Sequence, residues 1–76
     1  MTYKEFKRQI EELGYKLSGT DADIAVIVDG FQTVLVSKHN HSALQTTSGI
    51  FNIHGKDRSH LLMTAAELAI TPINER

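Results

Sequence analysis

Ile24-Ala-Val-Ile-Val-Asp-Gly-Phe-Gln-Thr-Val-Leu-Val36 is the stretch whose reading decides the fold. It reads as two β-strands joined at Asp29-Gly30. A two-residue type I′ turn needs positive φ at both central residues, and Asp-Gly supplies that pair readily. Val, Ile, Phe and Thr on either side suit a pleated, half-buried surface. With Asp29-Gly30 as the turn, strict alternation pairs Val28 with Phe31, Val26 with Thr33 and Ile24 with Leu35, and places these six on one face, taken as the core face. The other face then carries Ala25, Ile27, Gln32, Val34 and Val36, which is apolar for a surface left to water.

Working outward to the N-terminus, Thr2-Tyr-Lys-Glu5 has the form of a capping box, with Met1 and Phe6 placed for a hydrophobic staple. Tyr3, Phe6, Ile10 and Leu13 recur at helical spacing, and Gly14 suits the position after a helix end. A helix over 3–13 is expected. Tyr15-Lys-Leu17 alternates like a short edge strand, and Ser18 to Asp23 has the composition of a turn. Its Gly, hydroxyls and acids match neither a P-loop nor a calcium loop.

Towards the C-terminus, Ser37 to His41 is a connection, and Ser42 to Thr46 a third main strand with Leu44 facing inward. Thr47-Ser-Gly49 breaks it. Ile50, Phe51 and Ile53 belong to an irregular segment packing inward. Asp57 is the expected N-cap of a second helix over 58–70, which must stop before Pro72. His60, Thr64, Glu67 and Thr71 form its polar stripe. Leu61, Leu62, Ala65, Leu68 and Ala69 form its core arc, and Met63, Ala66 and Ile70 widen that arc beyond one contact surface.

The expected architecture is a single α+β domain over 1–76: N-terminal helix, antiparallel meander of three to four strands, C-terminal helix, with both helices on one face of the sheet. With 76 residues and one proline, the chain has room for one small domain and no disordered tract. The absence of cysteine excludes disulfides, thiolate metal sites and a cysteine nucleophile. A net charge of −1 implies no strong electrostatic partner, whereas nucleic-acid binders are usually more basic. No signal core or membrane-length apolar run is present, so a cytoplasmic location is expected.

His39, His41, His54 and His60 are the one metal-ligand constellation to weigh, and His39-x-His41 can place two imidazoles on one side of a strand. No carboxylate stands at a supporting spacing, so no metal and no cofactor is expected. No nucleophile elbow or glycine-rich helix opening is present, so neither an enzyme nor catalytic residues are expected. Lys4, Lys7 and Arg8 on helix 1 suggest a nucleic-acid face, which Glu11 and Glu12 offset.

The tail from Leu62 to Arg76 resembles the ending of a group of small, mostly uncharacterised proteins of phages and prophages of Gram-positive bacteria. Many of these close in Ala-x-Thr-Pro-x-x-Glu-Arg, matched here by Ala69 to Arg76. Tyr3-Lys-Glu-Phe-Lys7, Glu12-Leu-Gly-Tyr15 and Val36-Ser-Lys38 resemble the same group. The chain departs from it over Thr47 to His60, where an acidic helical lead-in is more usual. The resemblance implies a phage or prophage origin, a bacterial host cytoplasm and a helix–sheet–helix fold, and it carries no catalytic residue. Lys16-Leu-Ser-Gly-Thr-Asp21 is also similar to a string in a phage inhibitor of a host RNA-guided nuclease. That inhibitor uses an acidic surface, which this chain lacks.

The expected function is that of a small phage or prophage accessory protein acting by binding another macromolecule, a host or phage protein. The alternatives are a nucleic-acid-binding module using the helix 1 basic face and an inhibitor of a host defence nuclease. The expected contact surface is Ile27, Val34, Val36, Met63, Ala66 and Ile70, serving a homodimer or another protein. Two short helices cannot cover both faces of the sheet, and large exposed apolar patches mark interaction sites. The competing expectation is that Thr47 to Gly55 folds across the second face and covers it.

Overall fold

The computed structural model describes all residues, Met1–Arg76. Helix α1 (Tyr3–Glu12) is followed by strands β1 (Lys16–Gly19), β2 (Asp23–Val28), β3 (Phe31–Ser37) and β4 (Leu44–Thr46), a short 3-10 helix (Ser48–Asn52), helix α2 (Gly55–Ile70) and a last 3-10 turn (Ile73–Glu75). The strands form one antiparallel sheet in the order β1-β2-β3-β4. Both helices pack on one face of it, as the sequence leads one to expect.

Helix α1 begins as its capping box dictates. The Thr2 hydroxyl accepts from the Glu5 N–H at 3.2 Å, and the Glu5 carboxylate accepts from the Thr2 N–H at 3.4 Å. Bonds from the Thr2 hydroxyl and N–H hold the Glu5 carboxyl below its ordinary value. The helix ends in a Schellman motif: Gly14, at φ 85°, donates to the Glu11 carbonyl and Tyr15 to that of Ile10. Phe6 and Ile10 are fully buried, and Met1 packs against the same core.

The β2–β3 turn is Asp29-Gly30, at φ 52° and 84°. Open space surrounds the Cβ position of Gly30, so only backbone strain opposes a side chain there. Gly30→Val is expected to cost about 1–2 kcal/mol, because a β-branched residue resists the left-handed region. In a domain of this size that lowers Tm by roughly 5–15 °C, with Gly30→Asn losing less. A thermal melt checks both. A Gly30→Val melt within error of wild type would count against the turn.

Beyond the turn, the register corrects the alternation. Val28 pairs with Phe31 and Ile27 with Gln32, but Val26 pairs with Val34, Ala25 with Leu35 and Ile24 with Val36. Thr33 is the extra residue of a β-bulge. Its hydroxyl donates to the Val26 carbonyl at 2.9 Å, and its carbonyl accepts from the Thr47 N–H at 3.0 Å, so a polar residue is fully buried without loss. The bulge reverses the facing of every residue after it. Val34 and Val36 join Ile24, Val26 and Val28 in the core, and Leu35 takes the open face.

The core is completed from above the sheet by Phe6 and Ile10 of α1, by Ile50 and Ile53, and by Leu61, Ala65, Leu68 and Ala69 of α2. The segment Thr47 to Gly55 therefore does not fold across the second face. It packs on the helix side, where Ile50 and Ile53 point inward and Phe51 points out. Leu44 lies at the β4 edge and is exposed.

Helix α2 starts at Gly55, three residues before the expected Arg58. Asp57 is not its N-cap. It sits in the first turn, where its charge complements the helix dipole. Thr64, expected in the polar stripe, is buried, and its hydroxyl donates to the His60 carbonyl at 2.9 Å. Satisfying the hydroxyl within its own helix lets Thr64 pack as an apolar residue.

The C-terminal end of α2 is the most heavily bonded point of the chain. Arg76 donates to the carbonyls of Thr71 at 3.1 Å, Ser37 at 2.6 Å and Ala69 at 3.0 Å. A ring nitrogen of His41 lies 2.6 Å from the Ile70 carbonyl oxygen, and the Ser42 N–H donates to that of Ala69. The Thr71 hydroxyl bonds the Glu67 carbonyl and accepts from the Met1 amine. The Tyr3 N–H donates to the Arg76 carbonyl. Pro72 stops the helix, and both ends of the chain meet around that stop.

Candidate interaction surfaces

The six residues expected to share a contact surface separate into three places. Val34 and Val36 are fully buried and offer nothing to a partner. Ile27 lies on the open face of the sheet, half-buried. Met63, Ala66 and Ile70 lie on the outer face of α2, on the far side of the core from Ile27.

The open face is less apolar than strict alternation implies. Its apolar residues are Ala25, Ile27 and Leu35, and Ala25 is buried by its neighbours. Directly across from them stand Lys16 and Gln32 against Ile27, Ser18 against Ala25, and Gln45 against Leu35. This small apolar strip, framed by polar side chains, is compatible with water.

The outer face of α2 is different. Met63 and Ile70 stand at i and i+7 and are 68% and 63% exposed, with half-buried Ala66 between them. Two large apolar side chains two turns apart form a stripe rather than scattered exposure.

Two phenylalanines expected to face inward, Phe31 by strand alternation and Phe51 within the irregular segment, are instead exposed. Phe31, at the first position of β3, is 57% exposed, and Phe51, on the 3-10 helix, is 73% exposed. The 3-10 helix is held against β3 by bonds from Thr47 to Gln32 and Thr33, which brings Gly49 beside Phe31. The Arg58 guanidinium lies 5.5 Å from the centre of the Phe51 ring and donates to the Ile53 carbonyl at 3.0 Å. Its Nε is buried without a hydrogen-bond partner, and the ring face is the electrostatic compensation available to it.

A groove of about 580 Å³ opens beside β1, within the usual size of a ligand cleft. Tyr3, Leu17, Ile24 and Ile73 line it, and Lys38 and Arg76 supply its charge. Gly19, across the ladder from Ile24, contributes no side chain, and the Asp23 carbonyl oxygen lies 2.7 Å from where its Cβ would be, so the backbone closes that end. No Asp or Glu carboxylate lies within 4 Å of Lys38 or Arg76, and Arg8–Glu12, at 2.9 Å, is the single ion pair of the fold. Burial pulls the Arg76 guanidinium down from its ordinary value, and an arginine nonetheless stays charged at neutral pH. The groove is invisible to periodicity because its residues come from five separate stretches of the chain. The basic residues Lys38 and Arg76 carry no local signal of being neighbours.

The histidines do not assemble. A His39 ring nitrogen lies 2.7 Å from the Asp21 carbonyl oxygen, tying the β3–β4 connection to the β1–β2 turn, and His41 serves the end of α2. No three His, Asp or Glu side chains come close enough together to hold a metal ion. On α1, Lys4, Lys7 and Arg8 share their surface with Glu11 and Glu12, so the basic face carries its own counter-charge. No helix is long and apolar enough to cross a membrane.

Comparison with protein-family models, with curated proteins and with solved structures finds no match to this chain.

Proposed function

We propose that this chain is a small, non-catalytic accessory protein of phage or prophage origin that acts by binding another protein. The observation that carries the binding role is the Met63–Ala66–Ile70 stripe of α2. Helix α2 already buries Leu61, Thr64, Ala65, Leu68 and Ala69 against the sheet. The stability of the domain gains nothing from large apolar side chains on the opposite side, and a partner surface gives them a reason. The resemblance of the Ala69 to Arg76 ending supports the origin. Nucleic acid fits less well, because the acids on α1 cancel the field that phosphate binding requires.

Wild-type protein and the double variant Met63→Asp/Ile70→Asp are to be compared as baits in a bacterial lysate and by light scattering. Both substituted residues are outside the core, so the variant is expected to melt close to wild type. It is expected to lose whatever the wild type captures. A wild-type mass of twice the 8.5 kDa chain, falling to one chain in the variant, identifies a second copy as the partner. Capture and mass unchanged in a folded double variant would refute the assignment of this surface.

A further inference from the structure

We infer that the groove beside β1 is a receptor for the carboxyl-terminal end of an extended polypeptide, which adds to the sheet as a fifth strand. The inference takes from the preceding reading only that the partner is a protein, and it assigns a different surface.

Three observations point to this occupant. The first is the free edge. Strand β1 pairs with β2 alone, and no other backbone or side-chain group bonds to Lys16–Gly19. The outward row of N–H and C=O groups is a template for another strand. The second is the shape and polarity of the space along that edge. Leu17, Ile24, Tyr3 and Ile73 give it an apolar lining that an apolar side chain from outside can contact. The third is charge. Lys38 and Arg76 face the groove with no Asp or Glu carboxylate within 4 Å. Arg76 is held rigid by three carbonyls, and each of its three nitrogens spends one donor on them, which leaves N–H groups over for an anion. Lys38 is oriented by the Thr20 carbonyl and keeps two further donors.

A ligand that satisfies all three is an extended chain with an apolar last residue and a free carboxylate. The polarity of binding follows from position. Lys38 Nζ lies 3.6 Å from where a Cβ of Gly19 would be, so the carboxylate sits at the Gly19 end. The incoming strand therefore runs parallel to β1, its last side chain against Leu17 and Ile24. Residues at alternate positions of the ligand face the groove, so its last and third-last residues set specificity.

The test uses the full chain, isotope-labelled, and a pool of hexapeptides ending in Leu, Ile, Val or Phe with the other positions randomised. One pool has free carboxylates and a second has carboxyl-terminal amides. The carboxylate pool is expected to shift the amide resonances of Leu17, Ser18, Gly19 and Lys38. Peptides enriched from it should bind about tenfold or more tightly than their amide forms, the effect of losing a charge-assisted hydrogen bond. Lys38→Glu and Ile73→Asp should each weaken binding by about tenfold or more. Should Lys38→Glu fail to fold, Lys38→Met serves in its place. Met63→Asp/Ile70→Asp should leave peptide affinity unchanged.

Equal affinity for acid and amide, resonance shifts confined to α2, or no binding of the carboxylate pool at millimolar concentration would each overturn the inference. Decanoate binding as tightly as the best peptide would overturn the strand addition. Each of these leaves the α2 surface assignment standing, because that assignment is read from the lysate capture and the mass.

Discussion

Val34→Asp is expected to unfold the domain. Strict alternation puts Val34 on the outer face of the hairpin, where an Asp would be harmless to folding. The bulge at Thr33 instead turns Val34 into the core, where it is fully buried opposite Val26. A carboxylate there must either stay charged without a partner or take up a proton and remain without hydrogen bonds. Either route costs several kcal/mol. At about 0.05–0.15 kcal/mol per residue, a domain of 76 residues has roughly 4–11 kcal/mol in all. Circular dichroism and amide dispersion should show a largely unfolded chain. The neighbouring substitution Leu35→Asp reads the register directly. Leu35 is half-buried on the open face, and its Asp variant should stay folded with a lower Tm. A folded Val34→Asp beside an unfolded Leu35→Asp would restore strict alternation and remove the bulge.

The reason the facing of β3 escapes the sequence is physical. Thr33-Val-Leu-Val36 is a run in which apolar residues occupy both parities, so the period-2 pattern says strand without saying which side is in. A single inserted residue then changes every facing beyond it. What distinguishes Thr33 is a buried hydroxyl bonded to the Val26 carbonyl, and such a bond has no sequence signature. The same limit explains Thr64. A threonine in a helix reads as polar until its hydroxyl is seen to bond one turn back to His60. The start of α2 was displaced because Asp57 suits a helix N-terminus both as a cap and as a first-turn charge, and the two uses differ by three positions.

Other features were legible because each rests on one local rule. Thr2 with Glu5, Gly14, Asp29-Gly30 and Pro72 all do in the fold what their residue types require. Burial along α2 followed from spacing for Leu61, Leu68 and Ala69, and so did the exposure of Met63 and Ile70. Of the residues expected to form a contact surface, Met63 and Ile70 stand exposed. On the sheet, exposure depends on the facing of β3, which buries Val34 and Val36 and turns Leu35 to the open face. The groove beside β1 depends on where Lys38, Ile73 and Arg76 come to rest relative to Gly19, which is a property of the whole fold.

The ending Ala69 to Arg76 joins the two kinds of information. As sequence it carries the proposed resemblance to phage proteins. In the fold it is a helix stop and clamp, in which Pro72 ends α2 and Arg76 returns to the carbonyls the stop leaves exposed. Arg76→Met is accordingly expected to destabilise the domain by about 2–3 kcal/mol. The methionine keeps most of the apolar stem and removes every donor, so the carbonyls of Ala69, Ser37 and Thr71 lose a charged partner at once. Hydrogen bonds to charged groups contribute about 1.5–3 kcal/mol each. These carbonyls lie at a half-exposed helix end that water reaches in part, and the expected loss is therefore nearer to one bond than to three. Arg76→Lys should recover less than half of it, since an ammonium cannot present the planar fork that spans three acceptors. The shift in urea midpoint at constant m-value measures both losses. Hydrogen exchange should quicken at Ser42 and Tyr3, whose N–H groups are bonded to the Ala69 and Arg76 carbonyls, before it quickens in β2 and β3. An Arg76→Met midpoint equal to wild type would mean that water satisfies the end of α2 as well as the guanidinium does, and that the arginine is kept for the groove it faces.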